Sequence, residues 1–295
     1  MMENARWLVV CNPRAGRGKS ADRAKRIVEL LRIQGQDSQL IEEDSKRSSQ
    51  EKFGSLIAGE TFRGIFVVGG DGLISDIALI LHQLNSRIPF VAIPAGTGND
   101  FARTCRTFGR KLDEIVLHVI TQAPTPIDAI LVNGVPVLEI VSTGLDAQVN
   151  QRANRMSSFL GKAKYVFAML AVLRKYSPVH YRVTLDGDIV ESPAMFIAIA
   201  NAPSYGGGML ISPHSNVNDG ILEIAILKPV RKLELLRVFP RVFAGSHLSH
   251  PAFEVLQGKR GRLEAETMAF GDGEALGNLP IDFEVTPDCF SVWKL

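Results

Sequence analysis

The residue of this chain best suited to chemistry is Asp71, flanked by glycines in Gly69-Gly70-Asp71-Gly72. Glycine neighbours give a carboxylate little packing and leave its charge facing whatever lies beside it. There it could hold Mg²⁺ through water or polarise an attacking hydroxyl; it could also simply cap the helix that follows. Asp100, after Thr97-Gly98-Asn99, has the same two readings, and Asn99 is the better helix cap. Two further glycine-bearing loops run from Asn12 to Ser20 (NPRAGRGKS) and from Pro94 to Asp100 (PAGTGND). Glycines let backbone approach a phosphate, and a helix starting just after offers free N–H groups and a positive dipole end. One such loop is more often only a tight turn; three at successive strand ends favour a nucleotide cradle. Arg14, Arg17 and Lys19 either face phosphates or form a solvated basic turn. Gly18-Lys19-Ser20 ends like a P-loop, but Pro13 stands where GxxxxGK[ST] requires glycine, which excludes that motif.

Strands and helices must bring these loops together. Trp7–Cys11, Gly64–Val68 and Phe90–Ile93 read as buried strands, each ending at one of the loops. Ser20–Ile33 places Ala24, Ile27, Val28, Leu30 and Leu31 at helical spacing, Ile74–Leu84 resumes that pattern, and a helix is expected from Asn99. Strands alternating with helices predict a parallel sheet covered on both faces, with ligands beyond the carboxyl ends of its strands. After about residue 128 the pattern changes. Asn133-Gly134 and Asp186-Gly187 each sit between short apolar runs, the signal of a two-residue hairpin. Ala194–Ala200, Ile221–Leu227, Phe253–Leu256, Leu263–Ala265 and Ile281–Val285 add strand-like runs, interrupted by one helical stretch, Lys162–Lys175. The expected fold class is α/β: an N-terminal three-layer α/β nucleotide-binding domain, residues 1–128, and a mostly antiparallel β-sandwich domain, residues 129–285.

Asn12-Pro13 with Gly16, then GGDG (Gly69–Gly72), then PAGTGNDFAR (Pro94–Arg103), resemble in order and spacing the catalytic domain of the diacylglycerol kinase family. That family of lipid kinases also includes sphingosine and ceramide kinases and soluble bacterial lipid kinases. GGDG is shared with NAD kinases, whereas GTGNDFAR is specific. The second half is similar to the soluble bacterial members through STGLDA (Ser142–Ala147), NAPSYGGGM (Asn201–Met209), DGILE (Asp219–Glu223) and GDGE (Gly271–Glu274), so the resemblance covers nearly the whole chain. It implies an NAD kinase-like first domain to which residues 286–295 return, ATP bound in the cleft between domains, and a lipid hydroxyl as acceptor, diacylglycerol or a similar glycerolipid. It implies nucleotide contacts from Asn12, Arg14, Gly16, Gly69, Gly70, Gly72, Gly96, Thr97, Gly98, Asn99 and Asp100, and a catalytic, Mg²⁺-holding Asp71. Asp272 and Glu274 become candidates for the base and metal partner on the acceptor side, and Asp219 matches an aspartate that holds a structural Mg²⁺ in some bacterial members.

The chain departs from the family pattern at Leu73-Ile74-Ser75-Asp76, where Thr or Leu, then Asn or His, then Glu are usual, and at Pro213-His214-Ser215, where Pro-x-Ala is usual. Leu73 is common in sphingosine kinases, which keeps a sphingoid-base or other lipid alcohol kinase as an alternative. Ser75 and Asp76 motivate another, a catalytically weak protein that binds lipid or nucleotide. An NAD kinase is disfavoured by GTGNDFAR and the terminal Asp-Gly-Glu.

Bulk properties set the outer limits. At 295 residues the chain is about twice a common domain, and 46% hydrophobic with 22% charged residues excludes disordered, collagenous and coiled-coil classes. Thirty-three basic against 31 acidic residues argue against a nucleic-acid partner. Three cysteines, Cys11, Cys105 and Cys289, lack zinc spacing and suit a reducing cytosol. Neither a signal peptide nor a transmembrane run is recognisable, so a cytoplasmic enzyme meeting a membrane lipid peripherally is expected, with a homodimer as the family expectation. From Ala147 to Leu185 lie Arg152, Arg155, Lys162, Lys164, Arg174, Lys175 and Arg182 with no acid, around the apolar run Tyr165–Leu173. That run is either a core helix with basic ends or one that lies on an anionic leaflet. No histidine forms a motif, His247 and His250 included, and there is no GxSxG to support a serine hydrolase.

Overall fold

Five consecutive apolar residues stopped by Asn12-Pro13, Trp7–Cys11, suit a strand covered on both faces. The computed structural model, which describes residues 5–42, 46–154, 156 and 163–295, places them in β1 (Arg6–Cys11). This strand pairs in parallel with β2 (Ser38–Glu42) on one side and β3 (Phe62–Gly69) on the other, and β3 pairs in parallel with β4 (Phe90–Pro94). The helices are α1 (Lys19–Ile33), α2 (Lys46–Gly59), α3 (Asp71–Gln83), α4 (Asp100–Thr104) and α5 (Leu112–Thr121). α1 turns Ala24, Ile27 and Leu31 onto Val9, Phe66 and Val91, where α5 adds Ile115 and Val119. The strand order β2-β1-β3-β4 means that the chain leaves β1 to one side and returns to the other. Such a reversal opens a crevice between β1 and β3 at their carboxyl ends. The loops at residues 12–18 and 69–72 leave the sheet there.

β2 and α2 were not legible in the sequence. Ser38–Glu42 is an edge strand of half-exposed residues with no apolar run, so it gives no period-2 signal. The helix expected from Asn99 is only α4, five residues long; Arg106 takes a left-handed conformation just beyond it (φ 58°) and turns the chain.

The chain forms two compact units, Met1–Ile127 with Asp288–Leu295, and Asp128–Pro287. β5 (Thr125–Val132) leads into the second, followed by β6 (Val135–Val137), β7 (Ile140–Thr143), α6 (Leu145–Asn154), α7 (Ala163–Leu173), β8 (Val179–Leu185), β9 (Asp188–Ala194) and β10 (Phe196–Ala200). Then come β11 (Leu222–Leu227), α8 (Lys232–Val238), β12 (Phe253–Gly258), β13 (Arg260–Glu264), β14 (Met268–Gly271), β15 (Glu274–Asn278) and β16 (Ile281–Val292). One sheet of this unit runs β16-β13-β8-β9, joined by β5 and β6; the other runs β12-β11-β10-β7-β14-β15. Ile130, Val183, Ile199, Ile224, Leu263 and Ile281 from both sheets share one core, the sandwich expected from the alternating runs. A second apolar cluster lies where Leu145, Met169 and Leu235 of the three helices meet Phe196, Ala198 and Ala225. Asn133-Gly134 and Asp186-Gly187 form tight hairpins with positive φ at both residues, as their sequences predict. Asp272-Gly273 makes a third, between β14 and β15. Among the described residues no helix is long and apolar enough to cross a membrane.

Candidate active site

The first unit gathers its glycine loops at the carboxyl ends of β3 and β4. Gly70 and Gly96 touch backbone to backbone: a Cβ on Gly96 would stand 2.5 Å from Gly70 Cα, so no side chain fits there. A Cβ on Gly98 would stand 2.6 Å from Asp71 Oδ2 and 3.1 Å from Asp100 Oδ2. The two carboxylates therefore converge over a bare stretch of backbone. Asp71 Oδ2 accepts the Asn99 N–H at 2.8 Å and Oδ1 the Phe101 N–H at 3.3 Å, so the first residue of α3 ties down the start of α4. Burial pushes the Asp71 carboxyl above its usual value, and these backbone donors pull it back.

Asn99, expected as a helix cap, has another duty. Its side chain accepts the Gly96 N–H at 2.7 Å and donates to the Gly96 carbonyl at 2.9 Å, while its own φ is 56°. It closes the loop on itself, and Asp71 takes over the capping from a neighbouring helix. Asn12 likewise closes a turn, accepting the Arg14 N–H at 2.9 Å. Gly16 lies against the Ala95 carbonyl, which brings the first loop beside the third. Thr97 is exposed at the rim. The Arg17 side chain lies outside the described residues. Sequence reading missed two supports: Ser20 Oγ donates to the Val68 carbonyl at 2.7 Å, and Arg23 Nη1 to the Pro94 carbonyl at 2.5 Å. Both brace strand ends from α1, and neither residue stands out by type.

In the second unit Asp272 accepts three backbone donors, Leu138 N–H at 2.7 Å, Glu139 N–H at 3.0 Å and Ile140 N–H at 3.2 Å. Its carboxylate holds the segment between β6 and β7 while its backbone makes the hairpin turn. Glu274, two residues on, is exposed. The Asn201 side chain donates to the Asp128 and Leu138 carbonyls at 3.0 and 2.9 Å, steadying the same segment. Asp219 is exposed and accepts the Ile221 N–H at 3.0 Å. Among the described residues no three His, Cys, Asp or Glu side chains gather as a metal site.

The second unit also holds an apolar cavity of about 60 Å³, lined by Val149, Met169, Phe196, Met209, Leu235 and Val242 among others. Asp146 reaches it as the one carboxylate. Burial pushes its carboxyl up, and hydrogen bonds from the Tyr205 and Ser142 hydroxyls oppose that rise.

Residues 6–132 match the model of the diacylglycerol kinase catalytic domain, and residues 139–294 match that of the YegS C-terminal NAD kinase beta sandwich-like domain. The chain belongs to the diacylglycerol kinase family. It is 30% identical over 293 residues to a diacylglycerol kinase of Mycobacterium tuberculosis, covering 96% of this chain and 93% of that one. A diacylglycerol kinase of Bacillus subtilis is 28% identical over 222 residues, covering 74% and 73%. The crystal structure of a diacylglycerol kinase from Bacillus anthracis str. Sterne shares the fold with a TM-score of 0.78 at 22% identity, covering 98% of this chain and 97% of that one. Family membership makes this chain a lipid kinase by descent and implies ATP as its phosphoryl donor.

Proposed function

We propose that this chain transfers the γ-phosphoryl group of ATP to the hydroxyl of diacylglycerol or a similar glycerolipid. The observation that carries this reading is the convergence of Asp71 and Asp100 over Gly98, beside the Gly70–Gly96 contact. Bare backbone at strand ends admits phosphate oxygens, and the first turn of α3 offers them N–H donors.

Two facing carboxylates fit the oxygen-donor set of Mg²⁺, which kinases hold by one or two carboxylates plus substrate phosphates. Asp71 and Asp100 would hold it, and once bound it would neutralise charge on the transferring group. At Asp219 a structural ion would draw on backbone carbonyls and water and on the Asp128 carboxylate, whose Oδ2 accepts the neighbouring Gly220 N–H at 2.7 Å; no three acids gather there among the described residues.

In the transfer, the acceptor O–H bond breaks as a new O–P bond forms and the bond from the γ-phosphorus to the bridging oxygen breaks, releasing ADP. Glu274, exposed two residues beyond Asp272, is the group assigned to take the acceptor's proton. Asp272, with three N–H bonds to satisfy, positions the turn that carries Glu274.

The Leu73 side chain packs on its own loop, where a Cβ on Gly69 would meet Leu73 Cδ2 at 2.8 Å; a sphingoid acceptor is the alternative that the lipid panel below separates. Ser75 donates to the Asp71 carbonyl at 3.0 Å, an in-helix bond that leaves the loop undisturbed.

The test is transfer of labelled γ-phosphate from ATP onto diacylglycerol, monoacylglycerol, sphingosine, ceramide and phosphatidylglycerol in mixed micelles, with NAD as soluble control and with chelator as a second arm. Labelled diacylglycerol that disappears on chelation is expected. Labelled sphingosine or NAD alone would replace the acceptor, and no label from a folded protein that binds ATP would leave a binding role.

A further inference from the structure

The cover of the apolar cavity in the second unit has a second face. α7 and α8 turn Met169, Leu235 and Val238 inward onto the cavity. Outward they expose Phe167 and Leu170 on α7 and Leu233 and Leu236 on α8, with Leu233 at 72% exposure. Phe243, exposed and packed on the Phe239 ring at 6.0 Å, extends the α8 side. Lys232 Nζ donates to the Arg174 carbonyl at 2.8 Å, which joins the end of α7 to the start of α8. A soluble surface has no use for large apolar side chains grouped on one two-helix cover.

Their neighbours are basic: Arg174, Lys175, Arg231, Lys232, Arg237 and Arg241 make no ion pair among the described residues. Glu234 is the one acid between Lys228 and Ala252, and it is engaged by His250 at 3.1 Å. Of the basic run read in the sequence, Arg155 and Lys162 lie outside the described residues, as does the Lys164 side chain; the patch stands without them.

We infer that the outer face of α7 and α8 docks on the anionic leaflet of a lipid bilayer, a role that rests on the lipid-kinase reading only for its purpose. Protruding Phe and Leu side chains enter the headgroup boundary while the basic rim meets anionic lipid. A second copy of the chain fits this face poorly, because a two-fold contact sets the basic cluster against itself. The apolar cavity lies beneath these same helices, lined from their inner side by Met169, Leu235 and Val238.

The test is co-sedimentation of the full chain with phosphatidylcholine vesicles, with and without phosphatidylglycerol. The wild type is expected to partition at least about tenfold better onto the anionic vesicles. R231Q with R237Q lowers that partition by about tenfold or more, at about fivefold for each charge. L233S with L236S lowers partition onto both vesicle types. Both variants keep the wild-type melting temperature and full activity on a water-soluble short-chain diacylglycerol, and lose activity on vesicle substrate in proportion to binding. Equal partition of wild type and variants overturns the inference. So does loss of a dimer in L233S/L236S with vesicle binding kept, which makes the face a contact between copies. If the variants lose partition but no lipid is ever phosphorylated, the docking surface stands and the kinase reading falls.

Discussion

Asp71 and Asp272 invite the same reading from sequence, an acid set among glycines, yet their surroundings differ. Each carboxylate accepts backbone N–H groups of a segment far away in the chain. Asp71 accepts the Asn99 and Phe101 N–H groups, with the Asp100 N–H also bonded to it, and still shares the space over Gly98 with the Asp100 carboxylate. Asp272 accepts three, at 2.7–3.2 Å, and makes a left-handed turn residue besides. Glycine neighbours thus mark a carboxylate that bridges loops. What distinguishes the surroundings of Asp71 is a second carboxylate, Asp100, beside the same glycine.

The sharpest way to break this contrast is Asp71→Asn. It is expected to lower turnover by about 10³-fold with a folded protein by circular dichroism; near-native activity would erase the distinction. Glu274→Gln should lower turnover by about 10²-fold with unchanged melting temperature and ATP affinity. Gly96→Ala forces the Gly70 contact apart and should raise the KM for ATP by about tenfold through overpacking, with less effect on the KM for lipid. Asp272→Asn should lose about 2 kcal/mol of stability in urea unfolding, from bonds to a charged acceptor. If it instead lowers turnover with stability intact, Asp272 belongs with Asp71 after all.

The smallest effect concerns Asp146. Its carboxyl is raised above the ordinary 3.8 by burial, so the folded state holds the proton more tightly than the unfolded one. The stability it contributes is complete below the ordinary value and is lost as pH rises through the folded one. Asp146→Asn, neutral throughout, should gain stability relative to wild type as pH is raised from about 3.8, and a constant difference across thermal melts would remove the buried-charge account.

The runs Trp7–Cys11 and Phe90–Ile93 announced buried strands because each is short, rich in β-branched or aromatic residues and cut off by a proline-bearing turn. The Asn133-Gly134 and Asp186-Gly187 hairpins were legible for the same local reason, since few residues tolerate positive φ. Asp272-Gly273 carried that signal too and was read for its acids alone. β2 escaped because an edge strand needs no apolar run, and α8 because seven residues give little periodicity. Asn99 does stand at the N-cap position of α4, as expected, but its side chain bonds Gly96 instead of the helix, and Asp71 reaches across to α4; these are tertiary choices between equally good local partners.

By itself, then, the amino-acid sequence determined the class of each half, the glycine loops at the strand ends and the family. Those follow from short-range sterics and hydrophobic periodicity, which act within a few residues. Only the tertiary structure decided that β1 lies between β2 and β3, that Asp71 meets Asp100 over Gly98, that Asp272 binds the Leu138–Ile140 backbone, and that α7 and α8 form one apolar, basic face. Each of those depends on which distant backbone donors and side chains the lowest-free-energy packing brings within bonding distance, and no local pattern encodes that.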